Sequence, residues 1–472
     1  MSRALAFALL FSSLSPLWLA PSAHAAPPQA VSLDPARQAL EAWLEAFNSG
    51  QRAPLEAYRE RWEPDMNVER MLEFQAETGG FRLVRHEASE PGRARALLQE
   101  RESDTVARAE MVVAPGKPAQ LEIRTIDPPD DLRVARMDGP AAIAALVAKA
   151  DEQAAQDKFA GVLLVAQGDR ILLQRAWRRA GAPDEPIGLD TQFRLGSMNK
   201  MFTAVATLQL VQAGKLSLDG TVGEYLPGYP NAEIAKVSLR QLLTHSGGTG
   251  DFFGPEFDAQ RLSLKTHDDY VRLFGTRAPT HVPGSEQRYS NYGFLLLGAI
   301  IERVSGQSYY DYMDLHVYAP AGMQHTGSLP EEVEVPARPT AWMRKDGAWV
   351  DADDTLPYRG TSAGGGYSTA GDLLKFARAL RDGTLLSPAL VAEATRNQTP
   401  WYGYGFMARV QNGAPMFGHG GGAPGMNGEL RVYPAQDLVV IALANVDPPA
   451  ASRLVDYYLL RMPAPVAAQP EP

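Results

Sequence analysis

Ser197-Met198-Asn199-Lys200 sets a hydroxyl and an amine three residues apart. On a helix that spacing puts both side chains on one face. An unassisted serine is a weak nucleophile, and a neighbouring base activates it. A lysine serves as that base only if burial lowers its pKa by about three units, worth roughly 4 kcal/mol. With 23 serines and 9 lysines in 472 residues, about 0.4 such pairs arise by chance, so the pair alone says little. Its surroundings say more. Met201, Phe202, Val205, Leu208, Leu210 and Val211 make the next helix apolar nearly all round, which is the pattern of a buried helix, and Gly214 ends it. The positive end of that helix's dipole would sit behind the serine oxygen.

Two further clusters complement this pair. Tyr289-Ser290-Asn291 precedes a second apolar helix, Phe294 to Ile301. A tyrosine beside Lys200 can shuttle the serine proton, and Asn291 can bond both the lysine and a substrate carbonyl. His419-Gly420-Gly421-Gly422 lies between strand-like runs and reads as a glycine-rich turn or as a place where another backbone approaches closely. Its N–H groups can bind a carbonyl oxygen as it becomes an anion. Tyr229-Pro230-Asn231 matches the tyrosine pattern but lies in a Pro/Gly loop, and His245 reads as structural. Gly360-Thr361-Ser362-Ala363-Gly364 matches the nucleophile elbow of α/β-hydrolases. That elbow needs a buried strand before it, and Asp351 to Arg359 is polar and Pro-broken. Neither His-Glu-x-x-His nor a phosphate-binding Gly-rich loop occurs, and the eight histidines are scattered, so no metal and no cofactor is expected.

Composition narrows the classes. The chain has no cysteine, which excludes a thiol nucleophile and a disulfide scaffold. Net charge is −10 with no basic block, so nucleic acid is not an expected partner. The expected partner is a small ester, peptide or amide substrate.

The elements fall into a series. Arg3, an apolar stretch to Ala20 and the small-x-small site Ala23-His24-Ala25 read as a signal peptide over 1–25. The mature protein is then expected to be periplasmic or secreted, with no span of the bilayer. Residues 31–128 predict a small α+β accessory domain: helices opening at Asp34-Pro35, then strands near 81–88, 93–99, 105–113 and 120–126. By element order alone it is similar to the cone-shaped domains of the nuclear-transport-factor type. Residues 129–139 form a linker. A helix over 140–158, strands over 161–167 and 170–177, a helical middle, strands over 405–411, 427–432 and 438–444 and a last helix over 452–460 make up 140–462. The Pro/Ala-rich 463–472 reads as a disordered tail.

Taken in order, Ser197-x-x-Lys200, Tyr289-x-Asn291 and His419-Gly420-Gly421 resemble the three active-site motifs of the serine β-lactamase/penicillin-binding-protein family. The similarity is to the branch of class C β-lactamases, D-peptidases and related esterases. Gln241 to Gly247 and Gly364 to Thr369 are also similar to that family, and the resemblance spans about 140–462. It implies an α/β (α+β) fold: an antiparallel sheet flanked by helices, with a helical subdomain. It implies Ser197 as the acylated nucleophile, Lys200 and Tyr289 as shared base and acid, and Asn291 as a positioning group. The Ser197 and Gly422 N–H groups would form the oxyanion hole. One departure matters. Where β-lactamases of this branch usually carry Lys-Thr/Ser-Gly, this chain has His419-Gly420-Gly421, losing a permanent cation and a hydroxyl. The expected activity is therefore that of an exported esterase or D-amino-acid peptidase or amidase rather than an efficient β-lactamase. The alternative is a catalytically silent binding protein for cell-wall fragments on the same fold.

Overall fold

A computed structural model describes residues 34–464, apart from 336, 346 and 412. The expected signal peptide and residues 465–472 of the expected tail lie outside the described residues. Backbone proximity divides the chain into two compact units. Of the described residues, the smaller takes 34–72 with 81–98 and 107–125, and the larger takes 73–80, 99–106 and 126–464.

In the smaller unit, Asp34 accepts the Ala36 N–H at 2.9 Å and caps helix Pro35–Asn48, with Pro35 in the first turn. Helix Arg52–Trp62 follows. Strands Phe81–His86, Arg93–Glu100, Val106–Val112 and Gln120–Thr125 form one sheet in sequence order. Trp43 and Phe47 stack at 4.8 Å, and Phe81 packs on Phe47 at 5.6 Å.

The larger unit is built on a six-stranded antiparallel sheet. Its spatial order is Met407–Gln411, Ala414–Ala423, Met426–Tyr433, Leu438–Ala444, Gly161–Gln167, Arg170–Trp177. Leu438–Ala444 pairs with Gly161–Gln167, so the chain's late strands close onto its early ones. Both strands are apolar without alternation, because both faces of the sheet are covered. Leu163, Val165, Val440 and Ala442 pack toward helices Gly139–Ala155 and Ala450–Arg461. Val162, Leu164, Ile441 and Leu443 face the core formed by helices Asn199–Gln212, Asn291–Ser305 and Ala370–Arg381. This is the expected mixed α/β arrangement, an antiparallel sheet flanked by helices with a helical region inserted between its strands.

The strand Ala414–Ala423 decides between two readings. His419-Gly420-Gly421-Gly422 is ladder, not turn. Gly421 pairs with Gly428, and a Cβ at Gly421 would collide with the Leu195 carbonyl. Gly421 is there because another backbone crosses at contact distance, while Gly420 and Gly422 leave room for the Glu429 and Pro448 side chains. Among the described residues no helix is long and apolar enough to cross a membrane.

Candidate active site

Ser197 sits in a single tight turn, Gly196–Met198, which runs directly into helix Asn199–Gln212. Gly196 takes φ +53°, a left-handed conformation that side chains resist. A Cβ there would lie 3.0 Å from the Gly422 backbone nitrogen. The strand carrying the three glycines thus passes against the turn carrying the serine.

Lys200, one turn on, is wholly buried. Its Nζ lies 3.1 Å from Ser197 Oγ and 2.7 Å from Asn291 Oδ1, and it donates to the Ala363 carbonyl. It also lies over the Tyr289 ring, 4.8 Å from the centroid. Burial lowers its pKa to about 7, and the negative charge of Asp251 opposes that shift. A neutral amine has two hydrogens and one lone pair. With both hydrogens held by Asn291 Oδ1 and Ala363 O, the lone pair is left for the serine hydroxyl.

Tyr289 immediately precedes helix Asn291–Ser305, whose start is capped by Ser290 accepting the Gly293 N–H at 2.9 Å. The Tyr289 hydroxyl is raised above the usual phenol range, chiefly by burial and against an interaction with the Ser197 side chain. The residue as a whole keeps 38% of its surface exposed, so solvent moderates that push. His245 packs on this ring at 4.3 Å, and its Nδ1 accepts the Ser290 N–H at 3.1 Å. Its structural reading fits this place beneath the tyrosine segment. Tyr229, the second match to the tyrosine pattern, is hydrogen-bonded to Tyr292.

His419 is 3% exposed. Nδ1 donates to the Gly420 carbonyl, which leaves Nε2 to accept the Tyr402 hydroxyl at 2.8 Å. Burial first, then the Lys200 charge, lowers its pKa to about 3. The ring is therefore neutral across the working pH range, and both nitrogens are occupied within the protein. Gly420 faces the other side of the sheet, where a Cβ would lie 2.6 Å from the Glu429 carboxylate. Ser197, Lys200, Tyr289, Asn291 and the Gly421-Gly422 backbone converge; Gly420 and the His419 ring nitrogens point elsewhere.

Asp251 was not legible in the sequence. Its Oδ2 accepts the Asn291 Nδ2 at 2.8 Å. A carboxylate only accepts, so this bond sets which way the amide faces and leaves Oδ1 for Lys200. Nothing in the run Gly250-Asp251-Phe252 marks it, since its role exists only across 40 residues of separation. Removing its charge should lower the Lys200 pKa further. We expect Asp251→Asn, which still offers an acceptor to Asn291, to move the acidic limb of kcat/KM to lower pH. A limb that stays put or rises would contradict this coupling.

The model of the family described as Beta-lactamase matches residues 143–462. The chain belongs to the beta-lactamase family. Penicillin-binding protein 4 of Amycolatopsis lactamdurans is 31% identical over 288 residues, 54% of this chain and 72% of that protein. Esterase EstB of Burkholderia gladioli is 29% identical over 322 residues, 58% of this chain and 81% of that one. The crystal structure of a D-stereospecific amidohydrolase from Streptomyces sp. aligns with a TM-score of 0.57 at 27% identity, covering 66% of this chain and 97% of that one. Fold and family agree on a serine hydrolase related to β-lactamases and penicillin-binding proteins.

Proposed function

We propose that this chain is an exported hydrolase that cleaves an ester or an amide through an acyl group on Ser197. The observation that carries the reading is the buried Lys200 amine, 3.1 Å from Ser197 Oγ with its two hydrogens engaged elsewhere. Lys200 takes the hydroxyl proton as Oγ bonds to the substrate carbonyl carbon. The carbonyl electron pair moves onto oxygen, which the Ser197 and Gly422 N–H groups receive. Collapse of that intermediate expels the alcohol or amine, protonated by way of the Tyr289 hydroxyl. Water then attacks the acyl-serine by the reverse sequence, releasing acid and free enzyme. Asn291 keeps the lysine oriented and can donate to the substrate.

Substrate class follows from the His419 segment. A cation there would hold the carboxylate of a β-lactam. A neutral ring with both nitrogens engaged offers no such charge. The similarity to an esterase and to a D-stereospecific amidohydrolase supports the same direction. A panel of p-nitrophenyl esters, D-amino-acid amides and nitrocefin tests it. Esters or D-amides should turn over at least about tenfold faster, in kcat/KM, than nitrocefin, one decade being roughly 1.4 kcal/mol. Dominant nitrocefin hydrolysis would reject the assignment.

The catalytic unit in this reading is 140–462, joined through 129–139 to an accessory module at 31–128. Export rests on the leader pattern Arg3 to Ala25. N-terminal sequencing of the protein recovered from the periplasm or medium should begin after Ala25, and an uncut chain retained in the cytoplasm would remove the claim.

A further inference from the structure

The segment rejected as a nucleophile elbow has its own attachment to the site. Three successive carbonyls accept from three side chains of helix Asn199–Gln212. Thr361 O takes the Asn199 amide at 2.6 Å, Ser362 O takes the Thr203 hydroxyl at 2.7 Å, and Ala363 O takes Lys200 Nζ. On its other side Ser362 Oγ lies 2.9 Å from His267 Nε2. His267 Nδ1 lies 3.1 Å from Glu302 Oε1, which also accepts the Tyr309 N–H at 3.0 Å.

Hydroxyl, imidazole and carboxylate stand here in the order of a hydrolytic triad, yet this set is closed. Ser362 is fully buried and His267 is 1% exposed. A Cβ on Gly298 would already collide with Ser362 Oγ and come within 2.5 Å of His267 Nε2. No substrate carbonyl fits where one methyl group does not.

We infer that Ser362, His267 and Glu302 are positioning residues that hold the Ala363 carbonyl against Lys200. The inference rests on Lys200 as the base. Glycines flank the tripeptide on both sides, Gly360 before it and Gly364 to Gly366 after it, with Gly365 and Gly366 at φ +89° and +70°. The turn is closed by the Thr361 N–H on the Gly364 carbonyl at 2.7 Å and tied to the serine turn by the Gly365 N–H on the Gly196 carbonyl at 3.0 Å, so the bond from Ser362 sets the tilt of the Ala363 carbonyl rather than the place of the whole segment. Without the Ala363 acceptor, one N–H of the lysine is free. The amine then rotates about its terminal bond, and its lone pair no longer aims at Ser197. The pin reaches the same helix that supplies the other acceptor, since Asn291 opens helix Asn291–Ser305 and Glu302 lies near its end.

The test uses the full chain. Ser362→Ala should lower kcat roughly tenfold, as does a small misplacement of a reacting group, with KM unchanged within about twofold. The rate of Ser197 labelling by a fluorophosphonate should fall in parallel. Ser362→Cys, which keeps a weak donor toward His267, should recover part of the loss. If Ser362→Ala does not fold, Glu302→Gln at the partly exposed end of the set should show the same kcat-only loss. Unchanged kcat with only a lowered Tm would overturn the inference, because the set would then be packing alone. So would an adduct on Ser362 in the Ser197→Ala chain, which would make it a second nucleophile. Full activity in Lys200→Ala would instead reject the base assignment itself, leaving a separate signature.

Discussion

Ser197→Ala should leave no covalent adduct with a fluorophosphonate and should cut ester turnover by about 10⁴-fold or more, the scale seen when a nucleophile is removed. The reason is local. Among the described residues, Ser197 is the hydroxyl that lies 3.1 Å from the buried Lys200 amine, which in turn lies over the Tyr289 ring. Its removal also leaves the lysine with nothing to deprotonate. Fold stability should change little, because Ser197 is only half-buried and its side chain bonds only within the site, to Lys200 and Tyr289. Intact-protein mass spectrometry reads the adduct directly. A Ser197→Ala chain that still gains the adduct mass would end the account, whatever its rate.

Lys200→Ala should cost about 10³-fold in kcat, within the span for loss of a general base. The wild-type pH profile should show the lysine titrating. The working form is the neutral amine, and burial brings the pKa down to about 7 from 10.5. Moving the group that far takes on the order of 5 kcal/mol of differential solvation, close to what the sequence argument required. Below that pKa the lysine gains a proton and cannot accept one. kcat/KM should therefore fall about tenfold per pH unit as pH drops below 7 and level off above it. No alkaline loss from Tyr289 is expected before its ordinary range, since its hydroxyl is shifted upward. His419 contributes no limb near neutrality, since burial lowers its pKa to about 3 and the ring is neutral above that. A flat profile from pH 5 to 9, or a limb near 4, would remove Lys200 from the base role.

Much of the scaffold was legible because its signals are local. Leu438–Ala444 and 161–166 are apolar throughout and need two covered faces, which a central sheet strand has. The helix after Lys200 declares its burial by having no polar face, and ten residues from Lys200 to Leu210 are buried in it. Asp34-Pro35 announces a helix start through a cap that acts within two residues. The glycine run stayed open between a turn and a close backbone approach for the same reason. Propensity scores a glycine run as a turn, and only the crossing of the Leu195–Ser197 backbone turns that run into a requirement.

Residue types and order therefore singled out the groups that the fold brings together: a serine, its lysine, a tyrosine with its asparagine, and a glycine strand. Tertiary structure alone decided how those groups are held. Asp251 orients an amide 40 positions away, Ala363 lends a carbonyl across 163, and Tyr402 occupies the His419 ring. A backbone carbonyl has no residue type to read, and a carboxylate becomes an orienting group only when folding sets an amide beside it. Burial, which lowers the lysine pKa to about 7, is likewise a property of everything packed around the side chain rather than of the side chain itself.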